Sequence, residues 1–494
     1  MRKLSRRSAL LAAGGLAGWG MSGLFRADLP TYAGTQRDIA ASDAPLLNDA
    51  SGLSATPIHK HLTLRDSDQA LIDVIRREFA EARAAGRPLN VGAARHSMGG
   101  QAIPRNGTAL TFDSARIEID SATQSYRAHA GARWSDVITA LDPAGWSPKV
   151  MQSNNDFGVA ATYSVNAHGW AVPFGPMGST VRSLRMVLPS GELVTCSPVE
   201  NSDLFNLGMG GYGLVGVVVD MDIEMVRNTR LVASFEVMPT PDYATRFKAA
   251  IADPAVTMAY GRLNVDRESF FQSAMLVTYR ETEDQSDLPA ATGSGWMAHA
   301  ASRIYRAQLG NETVKALRWW TETTLGPALG STAVTRNALI NEPVATLDDR
   351  NPDRTDILHE YFVGFDAFDT FVEICREVIP DSYQEFLNVT LRYVAADDTA
   401  VLSYARVPRI AAVMSFSQEL TSRAEADHKR MTRALIDRVI EIGGAYYLPY
   451  RPHARLDQVT GAYPQARDFA QAKRRLDPDL LLRNNLWDQY LGQL

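Results

Sequence analysis

Pro88-Leu89-Asn90-Val91-Gly92-Ala93-Ala94-Arg95-His96-Ser97-Met98-Gly99-Gly100-Gln101 is the stretch from which the fold is read. An apolar strand enters it, small residues turn it, and a histidine stands near its tip. A strand that ends in such a turn presents several backbone N–H groups to one side, and a nest of this kind binds an anion, most often a phosphate or diphosphate. Small side chains let the anion approach the main chain. Gly92, Ala93, Ala94, Arg95, Gly100 and Gln101 are the candidate cradle, with His96 and Ser97 beside whatever the phosphate carries. Read in isolation, the same window describes an ordinary tight loop with a surface histidine. The rest of the chain changes that weighting.

Around this turn the sequence reads as two domains. A chain of 494 residues exceeds one core and suggests units of roughly 100–200 residues. The 45% apolar and 21% charged content are those of a folded globular protein, and a net charge of -6 gives no reason to expect nucleic acid as a partner. Two cysteines, Cys196 and Cys375, exclude a disulfide framework and are expected as free thiols. Leu71, Ile72, Val74, Ile75, Phe79 and Ala82 recur at helical spacing over Ser67–Ala85, with Gly86 and Pro88 as the stop. A second helix is expected over Trp134–Leu141, and a hairpin joins Val181–Leu188 to Leu193–Thr195 through Pro189-Ser190-Gly191-Glu192.

Between these elements runs Met151-Gln152-Ser153-Asn154-Asn155-Asp156-Phe157-Gly158-Val159-Ala160-Ala161-Thr162-Tyr163-Ser164-Val165-Asn166-Ala167-His168-Gly169. Its small and amide side chains, with Asp156 the one charge, are poor material for a core helix. They suit a segment laid along a bound heteroaromatic ligand. Ser153, Asn154, Asp156, Val159, Ser164, Asn166, His168 and Gly169 are its candidate contacts. Gly210-Gly211-Tyr212-Gly213-Leu214-Val215-Gly216 precedes the strongest strand signal, Val217–Val226, and brings Gly216 and Val217 close to a ligand or another strand. Beyond Asn228 strands mix with longer helices, including Thr313–Thr323 and Ala424–Ile442. Gly293–Gly295 reads as a surface loop. His59-Lys60-His61 lacks a third ligand, so no metal site is expected.

The amino terminus reads differently. Arg2, Lys3, Arg6 and Arg7 precede an apolar run from Ala9 to Phe25, the charged and apolar regions of an export signal. Ser5-Arg6-Arg7-Ser8-Ala9-Leu10 is of the twin-arginine type. A signal over 1–33 and a polar linker over 34–56 are expected, with periplasmic or exported location and the twin-arginine machinery as partner; without cleavage the segment would serve as a membrane anchor.

The order of these motifs resembles the flavoenzymes of the vanillyl-alcohol oxidase and p-cresol methylhydroxylase type, the PCMH-type FAD-binding family. Four elements carry the likeness over about 170 residues: the helix followed by Pro-Leu-x-Val-Gly-x-x-x-His-Ser, the segment ending in Asn166-Ala167-His168-Gly169, the hairpin, and the glycine-rich run before Val217. Glu360-Tyr361-Phe362-Val363, Arg392-Tyr393 with Asp397-Asp398, Arg451-Pro452-His453 and Asn484-Asn485 are similar to motifs of the sugar and aldonolactone oxidases, and in part of the polyprenyl-phosphate ribose oxidases. Two departures bear on the substrate: Ala454 follows Pro452-His453 where the aldonolactone oxidases carry tryptophan, and Asn388–Tyr393 lacks the lysine of the ribose oxidases.

The resemblance implies an α+β, two-domain fold, with an FAD-binding domain over 57–228, a substrate-binding cap over 229–444, and a C-terminal segment 445–494 returning to the FAD domain. It implies FAD as cofactor, joined covalently through His96, with Asn485 among its contacts. It further implies oxidation of an alcohol, sugar, polyol or aldonolactone by hydride transfer to flavin N5, with oxygen or another acceptor taking the electrons. Glu360 and Arg392 would bind the substrate hydroxyl and stabilise charge, and His453 would accept or orient the proton. A salt bridge between Glu360 and Arg392 is the structural alternative. At the level of the whole chain, a catalytically inactive ligand-binding protein on the same scaffold and an accessory electron donor are the competing readings.

Overall fold

The computed structural model describes residues 45–292, 303–325, 327, 333–343, 351 and 353–494. The expected signal and the Gly293–Gly295 loop lie outside them. Among the described residues no helix is long and apolar enough to cross a membrane.

The first domain is built on two sheets. In the smaller, Thr108–Phe112 lies between Lys60–Leu64 and Leu89–Val91, all three parallel. The helix Asp68–Ala84 buries Leu71, Ile72, Ile75, Phe79 and Ala82 of the predicted stripe, with Val74 half-buried beside them, in a core shared with Leu89, Leu110, Val217 and Val219. Each large side chain so buried contributes about 1.5–3 kcal/mol. The larger sheet is antiparallel and runs Leu193–Cys196, Val181–Val187, Val217–Arg227, Ser125–His129, Ile117–Asp120, with Trp146–Pro148 also paired to the long Val217–Arg227 strand.

The second domain is an eight-stranded sheet. Its centre matters most here: Arg409–Glu419 pairs antiparallel with both Arg354–Val363 and Glu385–Val394. The helices Phe368–Val378 and Ser422–Glu441 pack in the same core. Val256–Leu263 and Arg409–Glu419 are buried on both faces and carry no sharp polar–apolar alternation, whereas Arg230–Pro239 buries only Leu231 and Met238.

The chain then comes back to the first domain. Leu89 N–H donates to Leu481 O (2.7 Å) and Arg483 N–H to Leu89 O (3.1 Å), so the tail lies beside the strand that feeds the turn. The stretch before Pro57, expected as linker, is folded where it is described: Leu46–Leu47 pairs with Thr56–Pro57, Ala50 N–H donates to Arg95 O (3.0 Å), and Asp49 Oδ2 accepts from Gly100 N–H (2.8 Å). Its polar residues act as local hydrogen-bond partners of the turn.

Candidate active site

One long cavity runs between the domains, with about 220 Å³ open to the centre of a water molecule, many times the roughly 10–15 Å³ that one water needs. Its first wall is the turn. Arg95 adopts φ 54°, which folds the chain back sharply after Gly92-Ala93-Ala94. Among the described residues no hydrogen bond engages the peptide N–H of Ala93, Ala94, Arg95, His96 or Ser97, all of which line the cavity. Backbone donors left unpaired in a folded protein are rare, so this consecutive run is a cradle for an acceptor-rich ligand. The Arg95 guanidinium donates to Thr111 Oγ1 (2.9 Å) and has no carboxylate partner among the described residues; burial lowers its pKa to about 10, so it remains charged at neutral pH. Gln101 donates to Leu448 O (2.8 Å) and Tyr450 O (2.9 Å), tying the turn to the chain that leaves the cap.

The second wall is the Met151–Gly169 segment, and here the structure corrects the expectation of a non-helical run. Val159–Ser164 is a short helix. Its two faces differ in size rather than polarity: Val159 and Tyr163 enter the core, while Ala160, Ala161 and Ser164 face the cavity. Gly158 lets the helix start close to the turn, since a Cβ there would stand 2.6 Å from Ala93 Cβ. The result is a smooth floor suited to a flat ring.

His96 lines the cavity, stacks on Phe157 (ring centroids 4.2 Å apart) and has Nε2 3.7 Å from Asp156 Oδ2. Burial lowers its pKa, Asp156 opposes and Arg133 assists, and the net direction is down; the imidazole is neutral at pH 7 and carries a nucleophilic nitrogen.

The third wall comes from the cap sheet. Glu360 pairs with Val413, and Val413 with Thr390, so these three share a row; Arg392 lies two residues further along its strand and on the same face as Thr390. Glu360 Oε1 contacts His168 Nε2, and Oε2 accepts from Tyr450 OH (3.1 Å). Burial, and then the charge of Glu360, hold the Tyr450 phenol well above its usual range, so it keeps its proton. Arg392 donates to Ser153 Oγ (3.0 Å) and His168 O (3.5 Å), and among the described residues no carboxylate pairs with it. The anticipated Glu360–Arg392 salt bridge is therefore absent among the described residues. Burial lowers the Arg392 pKa, with Glu360 acting against this from a distance. Arg392 Nε and His168 Nδ1 are both buried and have no partner among the described residues.

Most expected residues thus meet at one cavity: Gly92 to Ser97, Gln101, Ser153, Asn154, Ser164, His168, Gly216, Val217, Glu360 and Arg392. Others serve from behind it. Gly100 packs against Asn485, which donates to Thr56 Oγ1 (3.0 Å). Val159 points into the core, Gly169 packs against the Met151 backbone, and Asn166 bridges Asp397 Oδ2 (2.8 Å) and Gly178 N–H (3.0 Å).

His453, expected as proton acceptor, is not at the cavity. Strand alternation puts His359 on the opposite face from Glu360, and Thr432 joins His359 Nε2 (3.3 Å) to His453 Nδ1 (3.0 Å) on that far side. His453 Nε2 meets Glu425 Oε1 (3.0 Å), and Glu425 also holds Arg451, which donates to Met98 O (3.0 Å). This polar cluster braces the turn from outside. Tyr450, next to Arg451-Pro452-His453, and Phe157, inside the Met151–Gly169 segment, line the cavity without having been among the expected contacts. Among the described residues no group of three or more metal-ligating side chains is arranged to hold a metal ion, and both cysteines are buried and free.

Comparison with known proteins agrees with this geometry. A family described as an FAD binding domain matches residues 70–197. The chain is 28% identical over 223 residues to L-galactono-1,4-lactone dehydrogenase 1 of Oryza sativa, covering 44% of this chain and 38% of that protein. It is 27% identical over 110 residues to a putative D-arabinono-1,4-lactone oxidase of Neurospora crassa (22% and 20%), and 32% identical over 135 residues to cytokinin dehydrogenase 1 of Arabidopsis thaliana (26% and 24%). These matches span well under half the length of each relative. The cradle of free N–H groups and the small-residue floor fit a flavin dinucleotide.

Proposed function

We propose that this chain, a member of the PCMH-type FAD-binding family through its residues 70–197, is an oxidoreductase that oxidises the CH–OH group of a sugar, polyol, aldonolactone or related alcohol. The observation that carries the reading is continuity: one cavity joins the Ala93–Ser97 donor turn to the wall of Glu360, Arg392 and His168. Bound FAD supplies a two-electron hydride acceptor at N5. The turn binds the diphosphate through its N–H groups with Arg95 alongside. The Ala160, Ala161 and Ser164 floor supports the ring. Arg392 stabilises negative charge as the hydroxyl loses its proton, and Glu360 orients the groups around it. The lactone dehydrogenase and oxidase names of two relatives support the sugar-lactone class.

His96 is the proposed covalent anchor of the flavin, supported by its position at the turn and its neutral imidazole. Acid precipitation tests this: yellow colour stays in the pellet of the wild type and passes to the supernatant for H96A. Export by the twin-arginine route is proposed on Ser5–Leu10, and replacing Arg6 and Arg7 by lysine should retain the protein in the cytoplasm.

The test of the reading is an absorbance scan followed by anaerobic addition of L-galactono-1,4-lactone, D-arabinono-1,4-lactone and a panel of polyols and sugars. Flavin bands that bleach support an oxidoreductase, and oxygen against a dye acceptor then identifies the electron acceptor. Flavin bands that no alcohol bleaches reject the alcohol oxidation, and absence of flavin favours the ligand-binding alternative.

A further inference from the structure

We infer that Asp156 is the positioning residue of the covalent flavin bond: with Phe157 it holds the His96 imidazole at one end of the cavity, and its carboxylate stabilises the charge that the ring takes on as the bond forms. The inference rests on the covalent anchor proposed above and assigns the residue that serves it.

Among the described residues two histidines line the cavity, and they differ in access. His168 is 3% exposed and engaged by Glu360, whereas the His96 side chain keeps 20% of its surface open. No described residue hydrogen-bonds to either His96 nitrogen, and neither nitrogen is sealed in the interior. Phe157 stacks on one face of the ring, with planes 28° apart, and Asp156 Oδ2 stands 3.7 Å from Nε2 at its edge. The lone pair of an imidazole nitrogen lies in the ring plane. Stacking therefore fixes the plane in which the ring can react, and the carboxylate fixes which edge is turned away. Nε2 faces Asp156, which leaves Nδ1 as the nucleophile.

The carboxylate is itself held from behind. The carbonyls of Asn155, Asp156 and Phe157 accept from Ser135 N–H (2.7 Å), the Arg133 guanidinium (3.2 Å) and Trp134 N–H (3.1 Å). Three consecutive peptides are thus clamped on the start of helix Trp134–Leu141, so Asp156 and Phe157 meet His96 as a fixed pair. Asp156 is the one acid in Met151–Gly169. Burial lowers the His96 pKa, Asp156 opposes this and Arg133 adds to it. The ring is neutral before it reacts, as a nucleophile must be, and the carboxylate favours the cation it becomes.

In the step itself the Nδ1 lone pair forms a C–N bond to the 8α-methyl carbon of FAD. That carbon loses one hydrogen as a proton and leaves the C–H electron pair to the flavin ring. The imidazole, now cationic beside Asp156, releases its Nε2 proton. The two protons and the electron pair leave the flavin reduced by two electrons, and oxygen or another two-electron acceptor reoxidises it.

The test uses the full chain produced under riboflavin limitation and then incubated with FAD in air. Total flavin is read before acid precipitation, and the share of colour left in the pellet is followed with time. A carboxylate within about 4–6 Å favours the charged form of its partner by about 10- to 1000-fold, so with half of that charge present at the transition state D156N should slow the appearance of acid-stable colour by about 3- to 30-fold. Total flavin in D156N should match wild type, and D156E should recover part of the rate. Should D156N fail to bind flavin, D156S carries the same expectation. A variant that keeps its flavin and matches the wild-type rate overturns the inference and leaves the covalent anchor standing. Parallel loss of total and acid-stable flavin in both D156N and D156S also overturns it, since that is the mark of a merely structural residue. Wild-type colour that passes wholly to the supernatant rejects the anchor at His96 and the role of Asp156 with it, while the total flavin of the same sample shows whether FAD is bound.

Discussion

Replacing Arg392 by methionine should move stability and activity in opposite directions. The side chain is half-buried with its Nε shielded, no carboxylate among the described residues pairs with it, and its bond to Ser153 Oγ (3.0 Å) is its one short contact. A hydrogen bond from a charged group contributes about 1.5–3 kcal/mol. Removing a guanidinium from water costs several kcal/mol, and replacing buried ions with apolar side chains is often neutral or stabilising by about 1–4 kcal/mol. R392M should therefore be at least as stable as wild type, by up to about 2 kcal/mol, or a Tm rise of up to roughly 4–8 °C at about 2–4 °C per kcal/mol. Catalysis should suffer: losing one preorganised donor at a developing oxyanion costs about 2.7–4 kcal/mol, or about 10²–10³ in the rate of flavin reduction. R392K should recover part of the rate, since it keeps the charge without the planar fork. Thermal melts of the holoprotein and anaerobic stopped-flow absorbance measure the two effects. A destabilised R392M with an unchanged reduction rate would refute the reasoning and make Arg392 a structural cation serving Glu360.

Three further outcomes follow from the same geometry. Ala161→Leu places a branched side chain on the cavity floor; overpacking of about 1–3 kcal/mol is about 5- to 150-fold in affinity, so flavin content, read by absorbance, should drop while the far-ultraviolet circular dichroism is kept. Stability should fall as pH drops below about 6.5: burial pushes His359 down to about 3 and lowers His428 and His453, so their contribution is complete above the unfolded histidine range and lost on acidification, at up to about 1.4 kcal/mol per pH unit for each group. Chemical denaturation between pH 5 and 8 measures that slope, and H428Q should make it shallower. Burial raises Cys196 to about 11 and Cys375 well above its usual range, so neither thiol should react with a disulfide reagent until the protein unfolds.

What the sequence determined by itself was local. A strand that runs into a turn opened by Gly92-Ala93-Ala94 reads as an anion nest, because small side chains leave the backbone donors open. The helix Asp68–Ala84 follows from its 3.6-residue stripe, and motif order pointed to the flavin family and to Glu360 and Arg392 before any fold was known. The tertiary structure decided everything that depends on which side of a sheet a residue faces. His359 and Glu360 are neighbours in the chain, yet one meets Thr432 behind the sheet and the other meets His168 in front of it. His453 carries a motif as clear as that of Arg392, yet helix Ser422–Glu441 holds it on the far face. The His168–Glu360 contact joins residues 192 positions apart, and no periodicity within either segment encodes it. Period and propensity act over a few residues, whereas the juxtaposition of two chemical groups is set by how whole sheets pack.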